Sequence, residues 1–304
     1  MPTKPQFDVS ILVVGFNSAR FIERCFDAIE RAVLGFHAQV LFINNGSDNS
    51  EAIIAEAFPW VEIIKSRGNV GFAAANNLLA RHSSGEHLLL LNPDTAIDAD
   101  AVSKLVDAAQ MRPSFGILSG TTFIDSGGGA VLPMLTLPAT GTLLRNLFPA
   151  RELPTPYGKS EVVEVEAVSG GFMFVRRDVW TALGGLDEQY FLYAEDLDFC
   201  HRAHQIGAKV GLVPNAEIRH TVGSGDQFSP ERLRYKAKGD ATYVRNHFSP
   251  IRAALNLFLM WLGFTIRWKA ALLFSPFSKS RRERLWALAP LVFAPRRWMT
   301  GYPS

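Results

Sequence analysis

Residues 9–15 read Val-Ser-Ile-Leu-Val-Val-Gly, and Phe16-Asn17 then lead into residues 18–32; this stretch decides the fold. Seven residues of nearly unbroken apolar character closed by glycine read as a strand buried on both faces of a parallel sheet. In residues 18–32, Phe21, Ile22, Cys25, Phe26 and Ile29 recur at helical spacing, with Ser18 in position to cap the helix. The same unit repeats downstream. Residues 40–43 form a second strand, halted by Asn44-Asn45-Gly46-Ser47-Asp48-Asn49. A helix over 50–58, a strand over 61–65 and a helix over 71–82 follow. Residues 87–91 are a fourth strand, ended by Asn92-Pro93-Asp94, and 100–111 a further helix. Strands alternating with helices predict an open, mostly parallel α/β sheet with helices on both faces. Ligands of such sheets sit outside the carboxyl ends of the strands. The polar clusters at 15–17, 44–48 and 92–94 all fall there.

Over residues 121–164 the pattern dissolves into Gly- and Pro-rich sequence, a length that marks a functional or mobile loop. Regularity returns at 165–175, followed by a helix over 177–183 closed by Gly184-Gly185, a helix over 193–207 and a short strand over 209–213. After Pro250 the character changes again. Residues 253–266 are apolar except for Asn256, Arg267 and Lys269 interrupt, and a second apolar run at 285–294 follows the cluster Arg281, Arg282, Arg284. This divides the chain into a sheet domain over 1–245, with halves at 1–112 and 113–245, and a helical segment over 246–304.

Charge supports that division. Residues 245–304 hold ten Lys/Arg against one acid, Glu283, a net +9, which leaves −7 for the remainder of a chain whose total is +2. An acidic body with a basic tail suits an anionic surface. Four tryptophans, Trp261, Trp268, Trp286 and Trp298, lie beside these cations, as in helices that rest in a membrane interface. A helical hairpin packed on the sheet domain or on a second subunit reads the same way. The two cysteines, Cys25 and Cys200, fit neither a metal nor a disulfide spacing, so a reducing compartment is expected. The first ten residues lack a signal-peptide pattern, and no apolar run reaches the ~18 residues of a spanning helix.

Three constellations can carry chemistry. Asp94, after a strand end, is placed to hold a divalent cation against a diphosphate; Asn-Pro-Asp is equally a turn, and Asp98 or Asp100 a helix cap. Glu195, Asp196 and Asp198 crowd a helix start inside an apolar frame of Phe191, Leu192, Tyr193, Leu197 and Phe199. Burial there suits a general base, and simple capping explains the same acids. His220 follows a strand and precedes Thr221-Val222-Gly223-Ser224, a position open to a metal ligand or to a structural histidine. Neither GxGxxG after the first strand nor GxxxxGK[ST] occurs, which disfavours dehydrogenases and P-loop enzymes.

Taken in order, VSILVVGFN, INNGSDNS, NVGFAAANN, LLLLNPDT and the run from Val168 to His220 resemble the inverting family 2 glycosyltransferases of GT-A fold, over about residues 9–224. The sub-type resembled is that of bacterial rhamnosyltransferases and galactofuranosyltransferases of cell-wall and polysaccharide synthesis. The resemblance implies a nucleoside diphosphate sugar donor bound by Gly15, Phe16, Asn17, Asn44, Asn45, Asn69, Gly71, Phe72, Asn77 and Asn92. It implies Mg²⁺ or Mn²⁺ on Asp94 and His220, and Asp196, beside Glu195, as catalytic base. Two positions depart from the family: Asn44 stands where Asp is usual, in a turn commonly one residue longer, and Asn92 replaces the first acid of DxD, a weaker ligand for a hard cation. The activity expected is hexosyl or deoxyhexosyl transfer, rhamnosyl from dTDP-rhamnose first, to a saccharide or polyprenyl-diphosphate-linked acceptor. It is expected at the cytoplasmic, inner face of the cell membrane, with an anionic lipid surface as partner, a homodimer open and no nucleic acid. Leu143, Leu144, Leu147 and Phe148, near Arg145, are candidates for seating the acceptor. An inactive sugar-nucleotide-binding homologue and a nucleotidyltransferase are the competing readings.

Overall fold

The structure is a computed structural model that describes residues 6–125, 128–131, 134–145, 147, 161–221, 229–274 and 279–303. Its first half follows the expected alternation: β1 (Phe7–Gly15), α1 (Ala19–Ala32), β2 (Ala38–Asn44), α2 (Ser50–Ala57), β3 (Glu62–Ile64), α3 (Phe72–His82), β4 (Gly85–Leu91), β5 (Thr95–Ile97), α4 (Ala101–Met111) and β6 (Phe115–Ile124). There follow β7 (Gly128–Val131), β8 (Met134–Leu135), α5 (Thr140–Arg145), β9 (Val163–Glu164), β10 (Ala167–Val168), β11 (Phe172–Arg176), α6 (Arg177–Leu183), α7 (Glu195–Gln205) and β12 (Lys209–His220). Helices α8 (Pro230–His247), α9 (Pro250–Phe274), α10 (Lys279–Phe293) and α11 (Arg296–Met299) complete the chain.

The main sheet runs β3-β2-β1-β4-β11-β6-β12-β5, with β7 beside β6 and β9 beside β12; β8 and β10 form a separate pair. The strands β3, β2, β1 and β4 are parallel, Ile11 lying opposite both Val40 and Leu89. Strand β11 enters antiparallel between β4 and β6, and β5 closes the far edge antiparallel to β12. The result is a mixed, mostly parallel sheet. Its core sits where the apolar spacing put it: Ile11, Val13, Ile22, Cys25, Phe26 and Ile29 are fully buried. Burial of each large apolar side chain contributes about 1.5–3 kcal/mol.

Several expectations are corrected. Ser18 and Asp100 occupy N-cap positions without side-chain capping bonds. The first N–H of α1, on Ala19, donates instead to the Asp48 carboxylate at 2.7 Å, so the α1 terminus is satisfied from the neighbouring strand end. Asp98 pairs with Arg219 and Asp100 with Lys104. The described part of residues 121–164 is less irregular than its composition suggests, because β6 runs on to Ile124 and β7, β8, α5 and β9 follow. The stretch 165–175 is two strands split by Ser169-Gly170-Gly171. Strand β12 continues to His220 because a register shift between Leu212 and Glu217 absorbs Pro214-Asn215, with Thr121 Oγ1 donating to the Pro214 carbonyl. Gly120 permits this approach: a Cβ there would lie 2.0 Å from the Ala216 carbonyl oxygen. Helix α7 starts at Glu195, two residues later than expected, since Tyr193 and Ala194 both have φ of 69°.

The chain forms two compact units: Met1–Leu135 with Thr155–Glu188 and Asp196–Ser224, and Thr136–Pro154 with Gln189–Glu195 and Gly225–Ser304. The core of the second unit gathers Ala237, Ala241, Val244, Leu257, Met260, Leu288, Leu291 and Trp298. Among the described residues no helix is long and apolar enough to cross a membrane.

Candidate active site

Two strand ends and the turn that opens α3 supply the first part of the site. Gly15 closes β1, and a Cβ there would meet the Phe42 ring at 2.7 Å. Phe16 is 56% exposed and Asn17 adopts a left-handed φ of 52°, a conformation asparagine tolerates well. At the end of β2 the Asn44 amide donates to the Asp48 carboxylate (3.1 Å) and accepts from the Gly46 N–H (2.8 Å). Asn45 donates to the Gly71 carbonyl (3.0 Å), and Asn69 accepts from the Gly71 N–H (3.1 Å). This ties the 44–49 turn to the one that opens α3. Asp48, to which no role was assigned from sequence, organises this corner. Burial raises its pKa, but hydrogen bonds from Ser50, the Ala19 N–H and Asn44 outweigh that and hold the carboxyl below its ordinary value.

The second part assembles around Ser169-Gly170-Gly171. The Asn92 N–H donates to the Gly171 carbonyl (2.9 Å), and a Cβ on Gly171 would lie 2.7 Å from the Asn92 amide nitrogen. Gly170 donates its N–H to Asp196 Oδ2 (3.1 Å), and a Cβ there would be 3.1 Å from the Phe72 ring. One glycine pair therefore brings Asn92, Phe72 and Asp196 together. Sequence reasoning missed this pair; the sign was a small-residue turn between two apolar runs. Asp196 Oδ1 also accepts the Leu197 N–H (2.8 Å), so the acid anchors the helix start as well.

The remaining acids of that cluster separate by environment. Asp198 is buried and pairs with Arg202 at 2.7 Å, while Arg202 also holds the Leu183 and Gly185 carbonyls. That is a structural network. Glu195 is 4% exposed. Asn77 commits its amide to both backbone groups of Leu186 and to Glu188, a role in holding the 185–188 turn.

Antiparallel pairing sets His220 opposite Thr95 and brings its Nε2 to 3.2 Å from Asp94 Oδ2, both side chains partly accessible. A carboxylate and an imidazole so close are a pair of donors that suits a divalent cation. Among the described residues no three His, Cys, Asp or Glu side chains form a closed metal cage. Next to His220, Thr221 and Arg24 both bind Asp125, whose carboxyl the Arg24 hydrogen bond holds below its ordinary range. Residues 222–224 and Phe148 lie outside the described residues.

Comparison with known proteins bears on the family and the fold. The profile of a family described as glycosyl transferase family 2 matches residues 10–178, more than half of the chain. The N-acetylglucosaminyl-diphospho-decaprenol L-rhamnosyltransferase of Mycobacterium tuberculosis is 28% identical over 227 residues, 68% of this chain and 72% of that protein. The dTDP-rhamnosyl transferase RfbF of Shigella flexneri is 26% identical over 64% of this chain and 67% of its own length. Among solved structures, the mannosyltransferase PcManGT of Pyrobaculum calidifontis in complex with GDP-Man and Mn²⁺ superimposes with a TM-score of 0.58 at 18% identity, covering 98% of this chain and 84% of that one. At that identity the likeness speaks for the fold alone.

Proposed function

The chain belongs to glycosyl transferase family 2, and from that premise we propose that it transfers a hexosyl or deoxyhexosyl group from a nucleoside diphosphate sugar to a saccharide on a polyprenyl diphosphate, with inversion, in cell-surface polysaccharide synthesis. L-Rhamnosyl from dTDP-rhamnose is the first candidate, a choice supported by the names of its relatives in Mycobacterium tuberculosis and Shigella flexneri. The observation that carries the reading is the convergence of Asn92, Phe72 and Asp196 on Gly170-Gly171. It links the strand-end turn suited to a diphosphate with an acid suited to proton transfer.

In this reading residues 1–112 bind the donor, through Gly15 to Asn17, Asn44, Asn45 and the Asn69–Phe72 turn, and residues 113–245 present the acceptor. Asp94 and His220 would hold Mg²⁺ or Mn²⁺, whose chemistry is to neutralise charge on the departing diphosphate. Asp196 takes the proton of the acceptor hydroxyl as that oxygen bonds to the anomeric carbon. The bond from that carbon to the diphosphate oxygen breaks on the opposite face, its electron pair leaving with the nucleotide.

The helical unit would rest on anionic lipid at the inner membrane face. On α9, Ile251, Leu255, Phe258, Ile266 and Leu273 form one exposed stripe, and on α10 Trp286 and Phe293 share a face with Arg282. Apolar stripes edged by cations bind lipid surfaces, each cation near the surface adding about 1 kcal/mol.

The test is a donor screen with UDP-, dTDP- and GDP-sugars, with and without Mn²⁺ or Mg²⁺, read by released nucleoside diphosphate and by thermal shift. A cation-dependent shift with dTDP-rhamnose and turnover on a polyprenyl-diphosphate saccharide are expected. Stabilisation by another nucleotide class would reassign the donor. Donor binding without turnover on any acceptor would point to an inactive homologue.

A further inference from the structure

The segment that delivers the candidate base is held in an unusual backbone state. Tyr193 and Ala194 are consecutive non-glycine residues with φ of 69°. L-residues rarely adopt this region, because Cβ crowds the following carbonyl, and successive ones persist only where the surroundings fix them. Glu195 and Asp196 follow directly and open α7.

What fixes this backbone lies in the same compact unit, which holds Gln189–Glu195 together with Gly225–Ser304. Gly239, in the middle of α8, faces it so closely that a Cβ would lie 2.2 Å from the Tyr193 carbonyl oxygen and 3.2 Å from the Ala194 Cβ. No side chain fits there, and the obstacle is backbone, which cannot swing aside. The Tyr302 hydroxyl donates to the Leu192 carbonyl at 2.8 Å, and burial raises its pKa above the ordinary phenol value. Tyr302 is itself held by its N–H donating to Thr242 Oγ1 (2.8 Å) and by Gln189 donating to its carbonyl (3.3 Å). Asn246 donates to Gln189 (3.0 Å), and the rings of Phe191 and Tyr235 lie 5.6 Å apart. Thus Gln189, Phe191, Leu192 and Tyr193 each meet α8 or the C-terminal turn.

We propose that Gly239 and Tyr302 are positioning residues for catalysis: they clamp the backbone of residues 192–194 in its left-handed form and thereby set the direction in which Asp196 enters the site. The proposal rests on Asp196 being the base. Released from the clamp, Tyr193 and Ala194 relax toward ordinary φ values and re-aim the start of α7. A displacement of about 1 Å at a catalytic group costs on the order of 10²-fold in rate. Donor affinity, which depends on the strand-end turns, is untouched.

The experiment compares Tyr302→Phe, Gly239→Ala and Asp196→Asn in the full chain, reading kcat, donor KM, donor-induced thermal shift and the double variant Tyr302→Phe/Asp196→Asn. Tyr302→Phe should lower kcat about 5- to 10-fold, and Gly239→Ala about 10- to 100-fold, with donor KM and thermal shift preserved. In the Asp196→Asn background Tyr302→Phe should have no further effect, since both act on one step. Unchanged kcat in Tyr302→Phe, or an equal loss in both backgrounds, overturns the clamp while leaving Asp196 as base. Wild-type turnover in Asp196→Asn instead overturns the assignment of the base. If Gly239→Ala fails to fold, the Tyr302→Phe pair still decides.

Discussion

At the carboxyl edge of the sheet, residues far apart in sequence come within hydrogen-bonding reach because strand order puts them there, and Asp94, His220 and Asp196 remain partly open. In the second unit the interior is apolar and closed, with Trp298 wedged edge-on to Phe264 and donating its indole N–H to the Leu291 carbonyl. Within that unit the C-terminal helices also hold the backbone of residues 189–194. The difference is between a region whose side chains are the candidates for chemistry and one whose packing holds a conformation. Substitutions in the first should therefore alter rate before stability, and those in the apolar interior of the second stability before rate.

The sharpest test of that division is Asp196→Asn. It removes the proposed proton acceptor and leaves one oxygen for the two N–H groups, of Gly170 and Leu197, that the carboxylate accepts. Turnover should fall by about 10²–10⁴-fold with the protein still folded and its melting temperature only slightly lowered, measured by nucleotide release and by calorimetry. Its counterpart is Trp298→Ala, which empties a fully buried site and strands the Leu291 carbonyl. A loss of about 3–5 kcal/mol is expected in denaturant unfolding, with donor-induced thermal shift retained under native conditions. If Trp298→Ala abolishes donor binding while still folded, the two regions are not separable in this way.

The two regions were unequally legible. The β1–α4 alternation and the polar strand ends could be read directly, since parallel strands are short apolar runs and Asn44 and Asn92 stand where those runs stop. Asp94 and His220 were both visible, but their approach depends on β5 and on a β12 that continues past Pro214, neither of which periodicity announces. The grip on residues 189–194 was illegible for a different reason. Its partners, Gly239 and Tyr302, are 45 and more residues away, and a glycine in mid-helix looks like a weak point until the carbonyl facing it is known. Tyr193 and Ala194 carry no sequence sign of left-handed backbone; tertiary contact imposes it.

A smaller effect tests whether the sheet interior is as indifferent to chemistry as its packing suggests. His87 is buried on β4, stacked on Phe174 at 4.8 Å, with Nδ1 3.3 Å from the Asp8 carbonyl oxygen. Burial lowers its pKa, an effect that the Asp8 carbonyl, Glu86 and Asp178 oppose and Arg176 reinforces. A folded-state pKa below the ordinary value of 6.5 means the unfolded chain takes the proton first as pH falls. The stabilisation from the neutral ring is therefore complete above 6.5 and is lost from there down to the folded-state value. His87→Leu should lessen the drop in melting temperature between about pH 7.5 and 5.5, with turnover at neutral pH unchanged. An unaltered drop would assign that acid sensitivity to other groups.

The smallest effect on stability belongs to the outer surface of the second unit. Trp286 is 75% exposed, so Trp286→Ala should move unfolding free energy by no more than about 0.5 kcal/mol. The buried Trp298 and the exposed Trp286, twelve residues apart, then part company on stability alone. On vesicles the order should reverse. An indole at a lipid interface contributes apolar area that its exposure in water leaves unused, and Arg282 on the same face adds attraction to anionic headgroups. Flotation of Trp286→Ala with anionic vesicles should be weaker than that of the wild type, and the difference should persist in neutral vesicles, where the basic residues no longer help. Equal flotation of the two proteins in both compositions would remove the lipid surface as the partner of α10 and leave its exposed aromatic face to a protein.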